Sequence, residues 1–282
     1  MRWIFWVFLA WCSPVVAAEL KVATWNLEWL TARPAGDPAL PTDVGPKLAE
    51  DIARLHAYAG LLAADVVAIQ EVDGPEIAAR IFTPDRFAIA MTHDRVVQRV
   101  GLAIRRGIAF TQNADVTGLD IYPWARYRLR SGLDVTLHLG GRDLRILAVH
   151  LKTGCREAPL TGADACATLR AQLAPLQGWI APLAAGNAAF LVIGDFNRWM
   201  DGTDAFWAGL RQAGALARAT EGRSSPCWGG GGFIDHIIAG GAARGWLVPD
   251  SLRVLVYRET GVAWKERLSD HCPVSARLIV PD

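Results

Sequence analysis

The sequence predicts an α/β chain whose core is two β-sheets covered by helices. Three observations carry this expectation: short apolar runs that stop abruptly on polar residues, a few helical periodicities between those runs, and hairpin connections that an all-parallel sheet lacks. The first run, Leu20-Lys21-Val22-Ala23-Thr24-Trp25-Asn26, reads as a strand that carries Asn26 to its mouth. After a Pro/Gly loop from Thr31 to Pro41, Leu48, Ile52, Leu55, Ala59 and Leu62 recur at three- or four-residue steps and predict one face of a helix. Ala64 to Gln70 then predicts a buried strand with Glu71 at its end.

Further strands are predicted at Phe87 to Met91, Gly101 to Arg105, Leu133 to Leu139 and Leu144 to Val149, the last two joined as a hairpin through Gly140-Gly141. A helical stretch from Thr168 to Leu183 contains Pro175 and Pro182, so a kink or a helix in two pieces is expected. Ala189 to Gly194 is an apolar strand that runs straight into Asp195-Phe196-Asn197. The remaining strands are expected at Phe233 to Ala239, Ser251 to Tyr257 and Val274 to Val280. No linker or shift of composition calls for a second domain, so residues 19–282 are expected to form one monomeric unit.

Residues 1–18 read as an export signal. Arg2 precedes an apolar run from Trp3 to Trp11, and the small-residue exit Val16-Ala17-Ala18 precedes Glu19. The run is shorter than the roughly 20 residues needed to span a bilayer, and Trp11 before Cys12 does not suit a lipid-attachment signal. A periplasmic or secreted location follows. Removing the signal leaves 28 basic against 28 acidic residues, so no broad basic surface is available to capture long nucleic acid and any phosphate chemistry must be local. Cys155, Cys166, Cys227 and Cys272 survive the cleavage. They allow three pairings in an oxidising compartment; short closure favours Cys155 with Cys166, which leaves Cys227 with Cys272. A zinc site would call for a C-x-x-C spacing that is missing.

The chemistry concentrates at strand ends. Glu71, Asp195-Phe196-Asn197 and Ser269-Asp270-His271 each adjoin an apolar strand, where a carboxylate meets solvent and a cation without entering the core. Taken singly, each is an ordinary cap, turn or ion pair. Asp195 and Asn197 are two apart, so an extended backbone would point both to one side and Phe196 to the packed face; an Asx-turn that only satisfies local backbone groups is the plainer alternative. His150 ends its strand, and Asp235 in Phe233-Ile234-Asp235-His236-Ile237 is a candidate orienter for His271. His56, His93 and His138 read as structural. Arg126, Arg128 and Arg130, near Trp124 and Tyr127, either contact a nucleic-acid backbone and base or form a solvated strand face.

Six motifs in order, Thr24-Trp25-Asn26, Ile69-Gln70-Glu71, Val149-His150, Gly194-Asp195-Phe196-Asn197, Ile234-Asp235-His236-Ile237 and Ser269-Asp270-His271, make the chain resemble the endonuclease/exonuclease/phosphatase superfamily. In character it resembles secreted bacterial members with cysteine-bearing loops and pancreatic-type deoxyribonucleases. The resemblance implies a four-layer sandwich of two mixed β-sheets flanked by helices, with a divalent-metal site at one end. It implies Glu71 as principal ligand for magnesium or manganese, with Asn26 and Asp270 nearby. Asp195 and Asn197 would position nucleophile and phosphate, His271 would act as base held by Asp235, His150 would contact the phosphate or leaving group, and His236 would stand behind Asp235. Gln98-Arg99-Val100-Gly101 also looks like the family. The expected reaction is phosphodiester hydrolysis in DNA or RNA. A phosphorylated small molecule or lipid headgroup is the alternative substrate, and a secreted binding protein that keeps the fold without hydrolysis is the alternative of another class.

Overall fold

The computed structural model describes residues 18–125 and 128–282. The expected export signal therefore lies outside the described residues apart from Ala18, as do Arg126 and Tyr127. The first half of the chain runs β1 (Ala18–Leu30), α1 (Ala49–Leu62), β2 (Val66–Val72), α2 (Pro75–Ala78), β3 (Phe87–Met91), β4 (Arg99–Arg105) and β5 (Ala109–Gln112). It continues through β6 (Leu133–Leu139), β7 (Arg142–His150), α3 (Ala165–Ala171), α4 (Leu173–Ala185) and β8 (Phe190–Asp195). The last part comprises α5 (Ala205–Arg211), β9 (Leu216–Arg218), β10 (Asp235–Gly240), β11 (Arg253–Val254), α6 (Ala263–Arg267) and β12 (Val274–Val280).

Two six-stranded sheets form, ordered β11-β12-β1-β2-β4-β3 and β5-β6-β7-β8-β10-β9. Both are mixed, because β1 pairs β2 and β7 pairs β8 in parallel while the other pairings are antiparallel. The period of two along each central strand explains the layering. In β2, Val66 and Ala68 join Val22, Leu102, Ile146 and Ile193 in the core between the sheets. Val67 and Ile69 point the other way, into a second core with Ile52, Leu55 and Leu62 of α1. A third core lies outside the second sheet, where Val149 and Val192 meet Leu169, Leu176 and Phe206 from α3, α4 and α5. Each large aliphatic side chain buried this way contributes roughly 2 kcal/mol. The result is the four-layer sandwich expected from the sequence.

Several expectations shift in detail. Leu48 is 58% exposed at the N-cap of α1 and takes no part in its apolar face. The helical stretch does divide in two, but at Gln172 and not at a proline: the buried Gln172 side chain accepts from Lys152 N–H and donates to Leu119 C=O, tying the junction to two loops. Pro175 sits in the first turn of α4, where its missing N–H costs nothing. Beyond Val254 the expected strand to Tyr257 leaves the sheet, because Tyr257 turns into the outer core and its hydroxyl accepts from Trp25 Nε1 at 2.8 Å. The short β5 and β9, and α5 with its Asp204 cap on the Phe206 and Trp207 amides, lacked a legible pattern in the sequence. Both expected disulfides, Cys155–Cys166 and Cys227–Cys272, are present.

Candidate active site

Sheet register brings the polar strand ends to one level. His150 on β7 lies opposite Asp195 on β8, and Asp195 lies opposite Asp235 on β10. In the other sheet Asn26 on β1 lies opposite Gln70 on β2, one residue before Glu71. The two sheets meet there: Asn26 Nδ2 donates to Glu71 Oε1 and to Asp195 Oδ2, both at 3.1 Å. Register shifts after Asn26 and after Ile69 mark bulges in β1 and β2, and Glu28, Trp29 and Glu71 take left-handed φ values of 43°, 51° and 60°. Such bulges re-aim side chains, and the strain is held by surrounding structure. Gly194 allows the closest approach, since a Cβ there would fall 2.0 Å from the Val149 carbonyl oxygen of β7.

Asp195 is buried and fully engaged. Its Oδ1 accepts from the Asn197 N–H at 2.7 Å and its Oδ2 from Asn197 Nδ2 at 3.1 Å. Asn197 has φ 52°, so the extended backbone expected from the two-residue spacing gives way to an Asx-turn. The turn still keeps both side chains together, with Phe196 in the core. Burial pushes the Asp195 carboxyl up to about 7, with His271 opposing and Asp235 reinforcing the shift.

His271 Nδ1 donates to Asp235 Oδ2 at 2.8 Å, while its Nε2 faces Asp195 Oδ2 at 3.8 Å and Asp270 Oδ1 at 3.6 Å. Burial alone would lower this imidazole, but the charges of Asp235 and Asp195, the Asp235 hydrogen bond and Asp270 together hold it well above the ordinary histidine value. The ring is placed through its backbone. His271 N–H donates to Ser269 Oγ at 2.9 Å, Ser269 Oγ donates to Asn26 C=O at 2.7 Å, and Tyr257 OH donates to His271 C=O at 2.9 Å. Behind it, Thr220 Oγ1 lies 2.6 Å from His236 Nδ1, and His236 Nε2 donates to Arg198 C=O at 3.0 Å. Burial lowers His236 to about 3, so it is a neutral, structural imidazole.

His150 Nε2 accepts from Arg130 Nη2 at 2.9 Å and lies 3.5 Å from Asp195 Oδ2 and 3.6 Å from Glu71 Oε1. Burial, then the Arg130 and His271 charges, push it well below the usual value, so it is neutral. This corrects the reading of a solvated strand face, while Arg126 lies outside the described residues. The segment is not a strand: Arg130 is only 7% exposed and points into the site, and Arg128 is tied to Asp120 at 2.6 Å. His56, His93 and His138 lie elsewhere, paired with Ile81 C=O, Asp115 and Asp143.

One looser set of oxygen donors and one compact set of two carboxylates and an imidazole could hold a cation. Glu71 accepts from Trp29 N–H at 3.2 Å and from Gln98 Nε2 beside its bond to Asn26. Asp270 joins this group through Glu28, whose Oε2 accepts the Asp270 N–H at 2.9 Å. Burial, then the Asp270 charge, raise Glu28 to about 7, against the opposing charge of Lys47. A half-buried carboxylate held next to another one suits a hard divalent cation, which would offset both charges. Glu28 and Arg130 were not singled out for these roles in the sequence; the spacing Asn26-x-Glu28 across a bulge was the available signal for the first. The second group is Asp195, Asp235 and His271, with one ligand-capable atom of each within 4.8 Å of the others, and with Asp235 Oδ1 lacking a hydrogen-bond partner among the described residues.

The endonuclease/exonuclease/phosphatase family pattern matches residues 23–271, spanning every residue of this constellation. The chain belongs to that family. No curated protein matches it closely enough to count as a relative. Solved structures share this family member's fold at low identity. D. rerio TDP2 complexed with single strand DNA product aligns at 18% identity and TM-score 0.63, over 92% of this chain and 98% of that one. The 3′ phosphatase NExo from Neisseria, bound to a product DNA hairpin, aligns at 16% and 0.60 over 92% and 99%. Sphingomyelinase C from Streptomyces griseocarneus aligns at 20% and 0.58 over 93% and 99%. Together with the candidate metal cluster, membership makes this chain a metal-associated phosphoesterase. Among the described residues no helix is long and apolar enough to cross a membrane.

Proposed function

We propose that this protein is an exported, deoxyribonuclease-like enzyme that hydrolyses phosphodiester bonds in nucleic acid with a divalent metal, magnesium or manganese. The observation that carries the chemistry is the convergence of an oriented imidazole, His271, with a neutral His150 and two carboxylate groups at one level of two sheets. Glu71, Asn26, Asp270 and Glu28 supply the hard donors for the cation. When bound, the metal neutralises charge on the phosphoryl oxygens. His271 Nδ1 is committed to Asp235, so Nε2 is the atom that takes the proton from water. The water oxygen bonds to phosphorus as the opposite P–O bond breaks. Asn26 and Asn197 hold the Asp195 carboxylate in place through their side-chain amides, and Arg130, which donates to neutral His150, brings positive charge to where oxygens gain negative charge.

The substrate assignment rests on a cleft of about 480 Å³ lined by Arg95, Arg99, Trp29 and Gln98, which also bonds Glu71, beside Arg33 and Arg128, whose charges are met by Asp73 and Asp120. Arginine side chains beside an aromatic wall suit a nucleic-acid strand. One observation favours a lipid headgroup instead: Tyr122 and Trp124, 43% and 79% exposed, pack edge to face on the loop that carries Arg128 and could enter a bilayer interface. The test is hydrolysis of a panel of single-stranded and duplex DNA, RNA, nucleotides, inositol phosphates and sphingomyelin vesicles. Nucleic acid should be turned over, EDTA should abolish activity, and magnesium or manganese should restore it. Full activity in exhaustively demetallated protein would sink the mechanism; preference for sphingomyelin would move the assignment to lipid, and binding without turnover of any member would leave a non-catalytic protein. Glu71→Gln should weaken the metal titration, and an unchanged titration would transfer the cation to the Asp195, Asp235 and His271 group.

A further inference from the structure

A second cleft, of about 270 Å³, brings groups of opposite charge together at His271. Its lining includes Asp235, His271 and Asp270, and also Arg156 beside Trp199 and Lys265 beside Trp228. Arg156 Cζ lies 5.9 Å from the Trp199 ring centroid, and Lys265 Nζ lies 5.8 Å from that of Trp228. Neither cation meets a carboxylate among the described residues, whereas Arg33, Arg128, Arg198 and Arg267 all do.

The indoles serve the cations and are not bare stacking platforms. Gly232 closes off Trp199, since a Cβ there would sit 2.7 Å from the indole Cγ. Trp228 packs on Tyr257 at 5.4 Å and donates from Nε1 to Ser269 C=O at 3.0 Å. An indole face holds a cation in place without neutralising it. The supports are rigid on both sides. Arg156 follows Cys155 of one disulfide, its carbonyl accepts the Trp199 N–H at 2.8 Å, and the buried Arg198 clamps this loop by donating to Cys155 C=O at 2.9 Å and Ala158 C=O at 2.7 Å. Trp228 follows Cys227, whose disulfide runs to Cys272 beside His271.

We propose that this cleft is a subsite for a second phosphate of the substrate, the neighbour of the one hydrolysed, held by Arg156 and Lys265 from their indole seats. The proposal rests on the hydrolytic reading above and adds that a substrate with a second phosphate gains binding that a single-phosphate ester lacks.

The experiment compares a short single-stranded oligonucleotide with bis(p-nitrophenyl) phosphate, which has one phosphate, in wild-type protein, Arg156→Ala, Lys265→Ala and the double variant. KM for the oligonucleotide should rise roughly 5- to 10-fold per charge removed, and the salt dependence of kcat/KM should flatten by about 0.7 in log–log slope for each lost phosphate contact. Turnover of bis(p-nitrophenyl) phosphate should not change, and Lys265→Arg should restore the oligonucleotide KM. An unchanged oligonucleotide KM in the double variant, or equal losses on both substrates or on sphingomyelin vesicles, would overturn the subsite. Fluorescence anisotropy of a labelled oligonucleotide on metal-free protein separates the two readings. Binding that depends on Arg156 and Lys265 without turnover of any ester would preserve the subsite and refute the hydrolase, while binding indifferent to both residues would refute the subsite whatever the activity.

Discussion

Asp235→Asn isolates the contribution of one charge, because the substitution keeps the volume of a side chain that is 6% exposed and can keep its hydrogen bond to His271. The Asp235 carboxylate lies 2.8 Å from His271 Nδ1 and is the foremost of the groups that raise this imidazole. A hydrogen bond to a charged group contributes about 1.5 to 3 kcal/mol and a neutral one about 0.5 to 1.5 kcal/mol, so the exchange costs the imidazolium that forms in the transition state about 1 to 1.5 kcal/mol. Turnover should therefore fall about 5- to 13-fold. The same energy is about 1 pH unit. His271 must be neutral to accept a proton, so activity rises with pH through its pKa; removing the carboxylate lowers that pKa and moves the acid limb of the pH–rate profile to lower pH. The assay is kcat against pH with saturating metal, alongside circular dichroism and a melting curve to show that the variant is folded. Near-normal kcat with an unmoved acid limb in folded protein would refute the dyad and leave Asp235 as a metal ligand or a structural residue.

Two further outcomes test the supports of the site. His236 is held near 3, below its unfolded value near 6.5, so the unfolded chain binds the extra proton between those limits; stability is complete above about pH 6.5 and declines as pH falls, by about 1.4 kcal/mol per unit. Urea denaturation between pH 7 and 4 should show a slope about one proton steeper in wild type than in His236→Gln, and equal slopes would contradict the neutral assignment. Reduction should lower thermal stability, since in the ideal entropy model closing the 45-residue separation of Cys227 and Cys272 contributes about 4 kcal/mol and the 11-residue separation of Cys155 and Cys166 about 3 kcal/mol. Calorimetry with and without reductant measures this, and an unchanged melting temperature would show that the bonds add nothing to stability.

Much of the fold was legible because the apolar runs of β1, β2, β7, β8 and β12 and the three- and four-residue spacing of α1 are local consequences of burying one face or two. Polar residues at the ends of those strands were equally visible, so Asn26, Glu71, His150, Asp195, Asp235 and His271 could be named from the chain alone. What the sequence by itself determined is therefore the set of elements and the residues at their mouths. Only the tertiary structure decided how they meet. Register across β7, β8 and β10 aligned His150, Asp195 and Asp235, and the bulges in β1 and β2 turned Glu28 and Glu71 toward Asp270 and Gln98. Arg130 looked like a surface charge in a basic stretch, yet it is buried against His150. The reason is physical: an apolar run reports that a strand is buried, whereas the partner of a buried charge is set by sheet pairing between residues far apart in the chain, and that pairing leaves no trace in local pattern.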